Sequence, residues 1–249
     1  MEIGILIFIL GLVIGSFLNV CIYRIPRGES ISFPPSHCTD CKTQIKPYDL
    51  IPVISYLFLG GKCRNCGSKI SIKYPLLELF TAIIFLLIYS QYGLSIELIK
   101  FLILAVFLIV IAFIDFNTQD VYAVTTYPCL FIGVAFILID KFYLHSDIMT
   151  YLIGLVVGVG VIGLIVILTG AMGTGDIEIA AICGIYLGWS NTLITIFFAF
   201  IIGAIIGVLL IALKKKGRKD PIAFGPFLAI GTMIAMLYGD KIIKIYLNI

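Results

Sequence analysis

Two aspartates stand where a carboxylate is disfavoured. Asp115 closes an apolar run in "VIAFIDFNTQD", and Asp176 opens another in "GAMGTGDIEIAA". A charged acid at the centre of a membrane helix costs about 2.5–3.5 kcal/mol on the insertion scale, so an acid kept beside such a run needs a reason. Each has an ordinary one when taken alone. Asp176, after glycine and before an apolar helix, would serve as an N-cap for free backbone N–H groups. Asp115 would be the polar end of a helix leaving the membrane.

Taken together, the two have chemistry. Two carboxylates at one site cannot both ionise easily, so one keeps a proton while the other acts as base. Such a pair activates a water against a peptide carbonyl while the protonated partner polarises the carbonyl oxygen. Gly173 and Gly175 would let the backbone approach an extended substrate and let Asp176 move toward Asp115. Glu178 lies about 200° round a helix from Asp176 and reads as a pathway-lining or paired residue. Glu78, in "YPLLELFTA", could touch a substrate's amino group or pair with a nearby Arg or Lys, and pairing is the stronger reading.

Four of the seven cysteines form "CTDC" (Cys38, Cys41) and "CRNC" (Cys63, Cys66), with 21 residues between the pairs. This approaches the spacing of a tetrahedral four-thiolate zinc site. The pairs also repeat: "CTDCKTQI" and "CRNCGSKI" share two cysteines, a hydroxyl residue and Ile at matching offsets. Two related knuckles clasping one structural ion is the expected arrangement, with Lys42, Lys62 and Arg64 offsetting the thiolate charge and Gly67 permitting a tight turn. Two disulfides are the competing arrangement, disfavoured in a reducing compartment. Cys21, Cys129 and Cys183 lie singly in apolar runs and read as small packing residues.

These groups must be positioned by membrane helices. The 249 residues are 61% hydrophobic and 12% charged, which excludes an ordinary soluble domain. Apolar segments run near 3–23, 76–92, 97–114, 121–139, 148–168, 177–189, 192–213 and 221–239, the sixth being short for a core of about 30 Å. The expected fold is all-α and polytopic, with about eight transmembrane helices and a small cytoplasmic zinc-binding domain between helices 1 and 2. Residues 1–23 form the first helix, 24–75 the four-cysteine domain and 76–249 the transmembrane catalytic domain. The first segment has no basic start or cleavage pattern and reads as a retained helix.

Lys and Arg set the orientation. Eight fall in 24–75 and five in "KKKGRK", against Lys100, Lys141, Lys241 and Lys244 on the other side of an eight-span chain. The richer side is cytoplasmic, which puts Asp115, Asp176 and the cysteine loop there and both termini outside. Loop 24–75, with eight basic and three acidic residues, is net +5. The whole chain's net charge of +3 comes from this asymmetry and implies contact with anionic lipid headgroups, and no nucleic-acid signature accompanies it.

The ordered set of motifs resembles the bacterial prepilin peptidase family over nearly the whole chain. It comprises "GSFLNVCIYRIPRGES" at 15–30, the two Cys pairs, "IPVISYLFLGGKCRNCGSKISIKYPLLELFTA" at 51–82, "FID" at 113–115, "GTGD" at 173–176 and "FGPFLA" at 224–229. The resemblance implies a GxGD membrane aspartic protease with Asp115 and Asp176 catalytic, while Asp120 matches neither position. It further implies prepilin or pseudopilin substrates, cut after a glycine behind a basic leader, and N-methylation of the new terminus with S-adenosylmethionine as donor. Type IV pili, type II secretion and competence are the implied settings, and the bacterial cytoplasmic (inner) membrane the implied location. No G-x-G-x-x-G between strand and helix marks a Rossmann methyltransferase, so that activity rests on resemblance, with the zinc loop its expected contributor.

The chain departs from the family's pattern at Tyr122-Ala123, where Pro-Asp is usual, at Thr39, where Pro is usual, and at Glu178, where Lys is common. Three other classes compete: a transporter or ion-conducting protein whose acids relay protons beside a regulatory zinc loop, a protease cutting deeper within a transmembrane helix, and a pilin-binding assembly factor without chemistry. The polar "NTQD" after Asp115 argues against the deeper cut. Oligomeric state is not readable from the sequence.

Overall fold

The computed structural model describes residues 2–143, 147–170, 172–217 and 220–247. Its helices are α1 (Glu2–Arg24), the short α2 (Ile54–Phe58), α3 (Lys73–Tyr92), α4 (Ile96–Thr118), α5 (Ala123–Tyr143), α6 (Ile148–Thr169), α7 (Thr174–Ala212) and α8 (Gly225–Leu247). No strand occurs among the described residues, only the isolated bridges His37 to Gln44 and Lys62 to Lys69. Seven of these helices are long and apolar enough to cross a membrane. In hydrocarbon every backbone polar group must be satisfied within the protein, and helices do this segment by segment. The chain divides into two compact units, Met1–Leu98 and Ile99–Ile249.

In the first unit α1 lies on α3 through a pair of glycines four residues apart. A Cβ on Gly11 would meet Ala82 Cα at 2.5 Å, and one on Gly15 would meet Glu78 Cα at 2.8 Å. Small residues at this spacing let two membrane helices approach to backbone contact. Asn19 adds a side-chain hydrogen bond to the Tyr74 carbonyl at 3.2 Å. At the end of α1 the buried Arg24 donates to the carbonyls of Ser30 and Pro34 at 2.8 and 2.7 Å, folding the start of the loop back onto the helix.

The second unit repeats the device. Gly154 and Gly158 of α6 lie against Gly184 and Ala180 of α7, while Gly231 of α8 lies against Thr195 and Ala199 of α7. Tyr186 is buried and donates its hydroxyl to the Cys129 carbonyl at 3.1 Å, tying α7 to α5. Lys100 and Asp140 form a buried ion pair at 3.0 Å between α4 and α5, with the ammonium 4.3 Å from the Tyr151 ring centroid.

At 39 residues α7 would extend about 58 Å if straight, nearly twice the hydrocarbon core. It is not straight. Gly188 sits at φ 76, ψ 172, outside the helical region and in backbone space that favours glycine. Ala180 and Ile196 pack with Ile162 in one buried cluster, although a straight helix would hold residues sixteen apart about 24 Å from each other. The chain therefore doubles back at Gly188. Each of the eight apolar segments forms a helix, although 121–122 and 221–224 precede α5 and α8 as non-helical chain, and the sixth and seventh are the two arms of α7.

Close approach at Gly158 gives a test with an internal control. Gly158→Leu is expected to lower thermal stability in detergent by about 1–3 kcal/mol, because its side chain would enter the Ala180 backbone. Gly160→Leu, where nothing lies within 4 Å, is expected to stay within about 0.5 kcal/mol.

Candidate active site

Asp115 lies in the last turn of α4 and is 5% exposed. Its Oδ2 accepts a hydrogen bond from the Gly225 backbone N–H at 2.8 Å. Gly225 is the first residue of α8, with Pro226 behind it, a residue suited to the start of a helix. Helix starts present free N–H groups and a positive dipole end, the setting in which an anion is best tolerated. A Cβ at position 225 would fall 2.6 Å from Asp115 Oδ2. Only glycine there leaves the carboxylate room to reach the backbone.

Asp176 is 6% exposed and occupies the third position of α7, with Gly173 at the N-cap. The N-cap reading of Asp176 is therefore displaced by three residues. Its Oδ2 reaches back to accept from the Gly173 N–H at 3.1 Å, the acidic half of a capping box. Gly175 is required by close packing, since a Cβ there would meet Val121 Cβ at 2.5 Å. Gly173 is extended at φ −78, ψ 157, a conformation any residue adopts.

Both carboxylates line one cavity of about 300 Å³, together with Asp120, Gly173, Gly175 and Phe224. A polar chamber with two buried carboxylates among helix starts is suited to hydrolysis by a proton-sharing pair. Glu178 faces elsewhere: it accepts from the Thr126 hydroxyl at 2.6 Å, joining α7 to α5.

Glu78 is buried in the second turn of α3 and takes the Val53 backbone N–H at 2.8 Å, with Ser16 as a further hydroxyl partner. The expected Arg or Lys partner is not found among the described residues. Desolvation is offset here by neutral donors, which a hydrocarbon edge supplies more readily than a second charge.

The four cysteines converge. The sulfur atoms of Cys38, Cys41, Cys63 and Cys66 lie within 4.8 Å of one another, Cys38 and Cys66 at 3.8 Å, and no disulfide joins them. Tetrahedral zinc with bonds of about 2.3 Å needs sulfurs about 3.8 Å apart, so the set fits a four-thiolate ion with no open position. The Thr43 hydroxyl holds the Cys41 thiol down to about 6, favouring the thiolate a metal requires.

The two knuckles are structural repeats. Cys38 N–H bonds the Thr43 carbonyl and Lys42 N–H the Cys38 carbonyl, and Cys63, Ser68 and Gly67 repeat the pattern. Lys42 and Gly67 take left-handed conformations at φ 58 and 72. Lys42 thus fills the turn position that glycine fills in the second repeat. Arg64 is bound to Asp49, at 2.9 and 2.6 Å, and clamps the 3-10 turn Pro47–Leu50 to the second knuckle. That bidentate bond holds the Asp49 carboxyl below its ordinary range.

Gly225 lies within "FGPFLA" but received no role from the sequence, and neither did Val121. A Gly-Pro step before an apolar helix is a start signal and could have pointed to Gly225. Val121 carries no such signal.

Fold and site together define a multi-pass helical membrane protein with paired buried aspartates at helix ends and a four-cysteine loop. Residues 9–92 match the Bacterial Peptidase A24 N-terminal domain, and residues 102–208 match the Type IV leader peptidase family. Curated relatives named prepilin leader peptidase/N-methyltransferase align along nearly the whole chain. That of Pseudomonas aeruginosa is 33% identical over 96% of this chain and 92% of its own, and that of Bacillus subtilis 33% over 98% and 97%. The Neisseria gonorrhoeae relative is 36% identical over 94% and 90%. No solved structure matches. The chain belongs to the type IV leader peptidase family.

The cysteine cluster generates a direct measurement. Purified protein is expected to carry one zinc per chain by elemental analysis, falling to background in Cys41→Ser and Cys66→Ser. Lys42→Gly is expected to retain the metal, because glycine adopts the same turn without strain.

Proposed function

We propose that this protein is a prepilin leader peptidase that cleaves the basic leader from type IV prepilins or pseudopilins after a glycine, at the cytoplasmic face of the bacterial inner membrane, and N-methylates the new terminus. The observation that carries this reading is the pair of buried carboxylates, Asp115 and Asp176, opening on one cavity in a chain that aligns end to end with relatives of that name.

In the proposed mechanism one aspartate holds a proton and the other is ionised. The ionised carboxylate takes a proton from a water as it attacks the scissile carbonyl carbon, while the protonated one donates to the carbonyl oxygen. A proton then passes to the leaving amine, and the pair is restored. Gly225 N–H fixes Asp115 through one oxygen, leaving the other for the reaction. Asp176 is held by a single backbone bond near the start of its helix. Gly173 and Gly175 line the chamber where an extended backbone would lie.

Residues 24–75 act as the zinc domain and 76–249 as the peptidase domain. Zinc bound by four thiolates would fix the loop and take no part in hydrolysis. S-adenosylmethionine is the proposed methyl donor. The described residues contain no strand–loop–helix cradle for it, and no residue is assigned to its binding.

The test is cleavage of a prepilin substrate by purified enzyme, with product masses read by spectrometry. Asp115→Asn and Asp176→Asn are each expected to lower cleavage by at least about 10²–10⁴-fold with zinc retained. Added S-adenosylmethionine is expected to raise the wild-type product by about 14 Da. Undiminished cleavage in either variant overturns the pair, and ion flux without any cleavage would favour a transporter. Gly225→Ala, which crowds Asp115 without removing it, is expected to lower kcat by about 10–100-fold with KM nearly unchanged.

A further inference from the structure

The segment 50–59, "LIPVISYLFL", contains no charged residue, yet it belongs to a loop that is otherwise polar and net +5. Its centre is α2. Ile54, Leu57 and Phe58, spaced i, i+3 and i+4, share one face of that turn, and Leu57 and Phe58 are 70% and 87% exposed. The opposite side is committed to the protein: the Tyr56 hydroxyl donates to the Ile70 carbonyl at 3.4 Å in the second cysteine repeat, and its ring lies against Gly61. A contiguous exposed patch of this kind marks an interaction surface.

Its place along the helices identifies the partner. Val53, the N-cap of α2, is bonded to Glu78, five residues into α3 and therefore about 7.5 Å along its axis from Lys73. Glu78 in turn abuts Gly15, nine residues before the end of α1. The apolar turn is thus held beside α3 at the level where α1 crosses it. Lys46, Lys62 and Lys69 are exposed on the same loop and Lys73 at the start of α3, and Tyr48 and Tyr74 are exposed with them. Apolar and aromatic side chains backed by lysines match an anionic bilayer surface.

We propose that α2 is a monotopic membrane anchor: Ile54, Leu57 and Phe58 enter the upper edge of the acyl region, and the lysines around them lie among anionic headgroups. The anchor holds the four-cysteine repeats flat against the bilayer, with Glu78 as the bolt between α2 and α3. This inference is independent of the proposed peptidase activity.

The chain's single tryptophan, Trp189, makes the test clean. Full-length Trp189→Phe protein carrying Phe58→Trp, and separately Leu57→Trp, is placed in nanodiscs of phosphatidylcholine and phosphatidylglycerol. Helical circular dichroism equal to wild type reports folding. The new tryptophans are expected to be quenched at least about twofold by lipids brominated near the top of the acyl chain, and to be protected from aqueous iodide. Quenching by iodide but not by brominated lipid would overturn the anchor by placing the face in water. Protection from both quenchers would also overturn it, because the face would then be covered by protein.

Discussion

A carboxylate placed among apolar helices has few partners that do not themselves need solvating, and the free N–H groups at a helix start are the nearest supply. Both aspartates use that supply. Asp115 takes the N–H of Gly225 at the head of α8, and Asp176 takes that of Gly173 at the head of α7. The rest of the second unit follows from bringing two helix starts and one helix end to the same place. The chain achieves this by alternating direction, so that α4 ends where α7 and α8 begin.

That convergence needs close helix contact, because each added side-chain layer would move the starts apart. The second unit therefore removes side chains where helices meet: Gly154 and Gly158 against Gly184 and Ala180, and Gly231 against Thr195 and Ala199. The reversal at Gly188 serves the same end by returning the second arm of α7 along the first. Packing in lipid depends on shape and dispersion more than on water exclusion. A few glycines therefore carry positional information that in a soluble core would be spread over many larger residues.

The apolar segments were legible because a membrane imposes length and composition on each helix separately. The cysteine repeats were legible because metal chemistry imposes spacing. What escaped were features set by a second segment. Gly175 answers to Val121, more than fifty positions away, and Glu78 answers to a backbone N–H, which no residue letter encodes. Lys42 occupies a left-handed turn position that its own identity disfavours, and only the repeat with Gly67 makes sense of it. Asp115 and Asp176 could be named from pattern, whereas the glycine that seats Asp115 required the helix start to be placed beside it.

The buried pair of Lys100 and Asp140 bears on how α4 is held. Lys100 is the fifth residue of α4 and Asp140 the fourth from the end of α5, so the pair joins the two helices near their ends, across forty positions of chain. One end of α4 is thus held by charge to α5 while the other holds Asp115 against the start of α8, so the helix is pinned at both ends by polar contacts and is apolar between them.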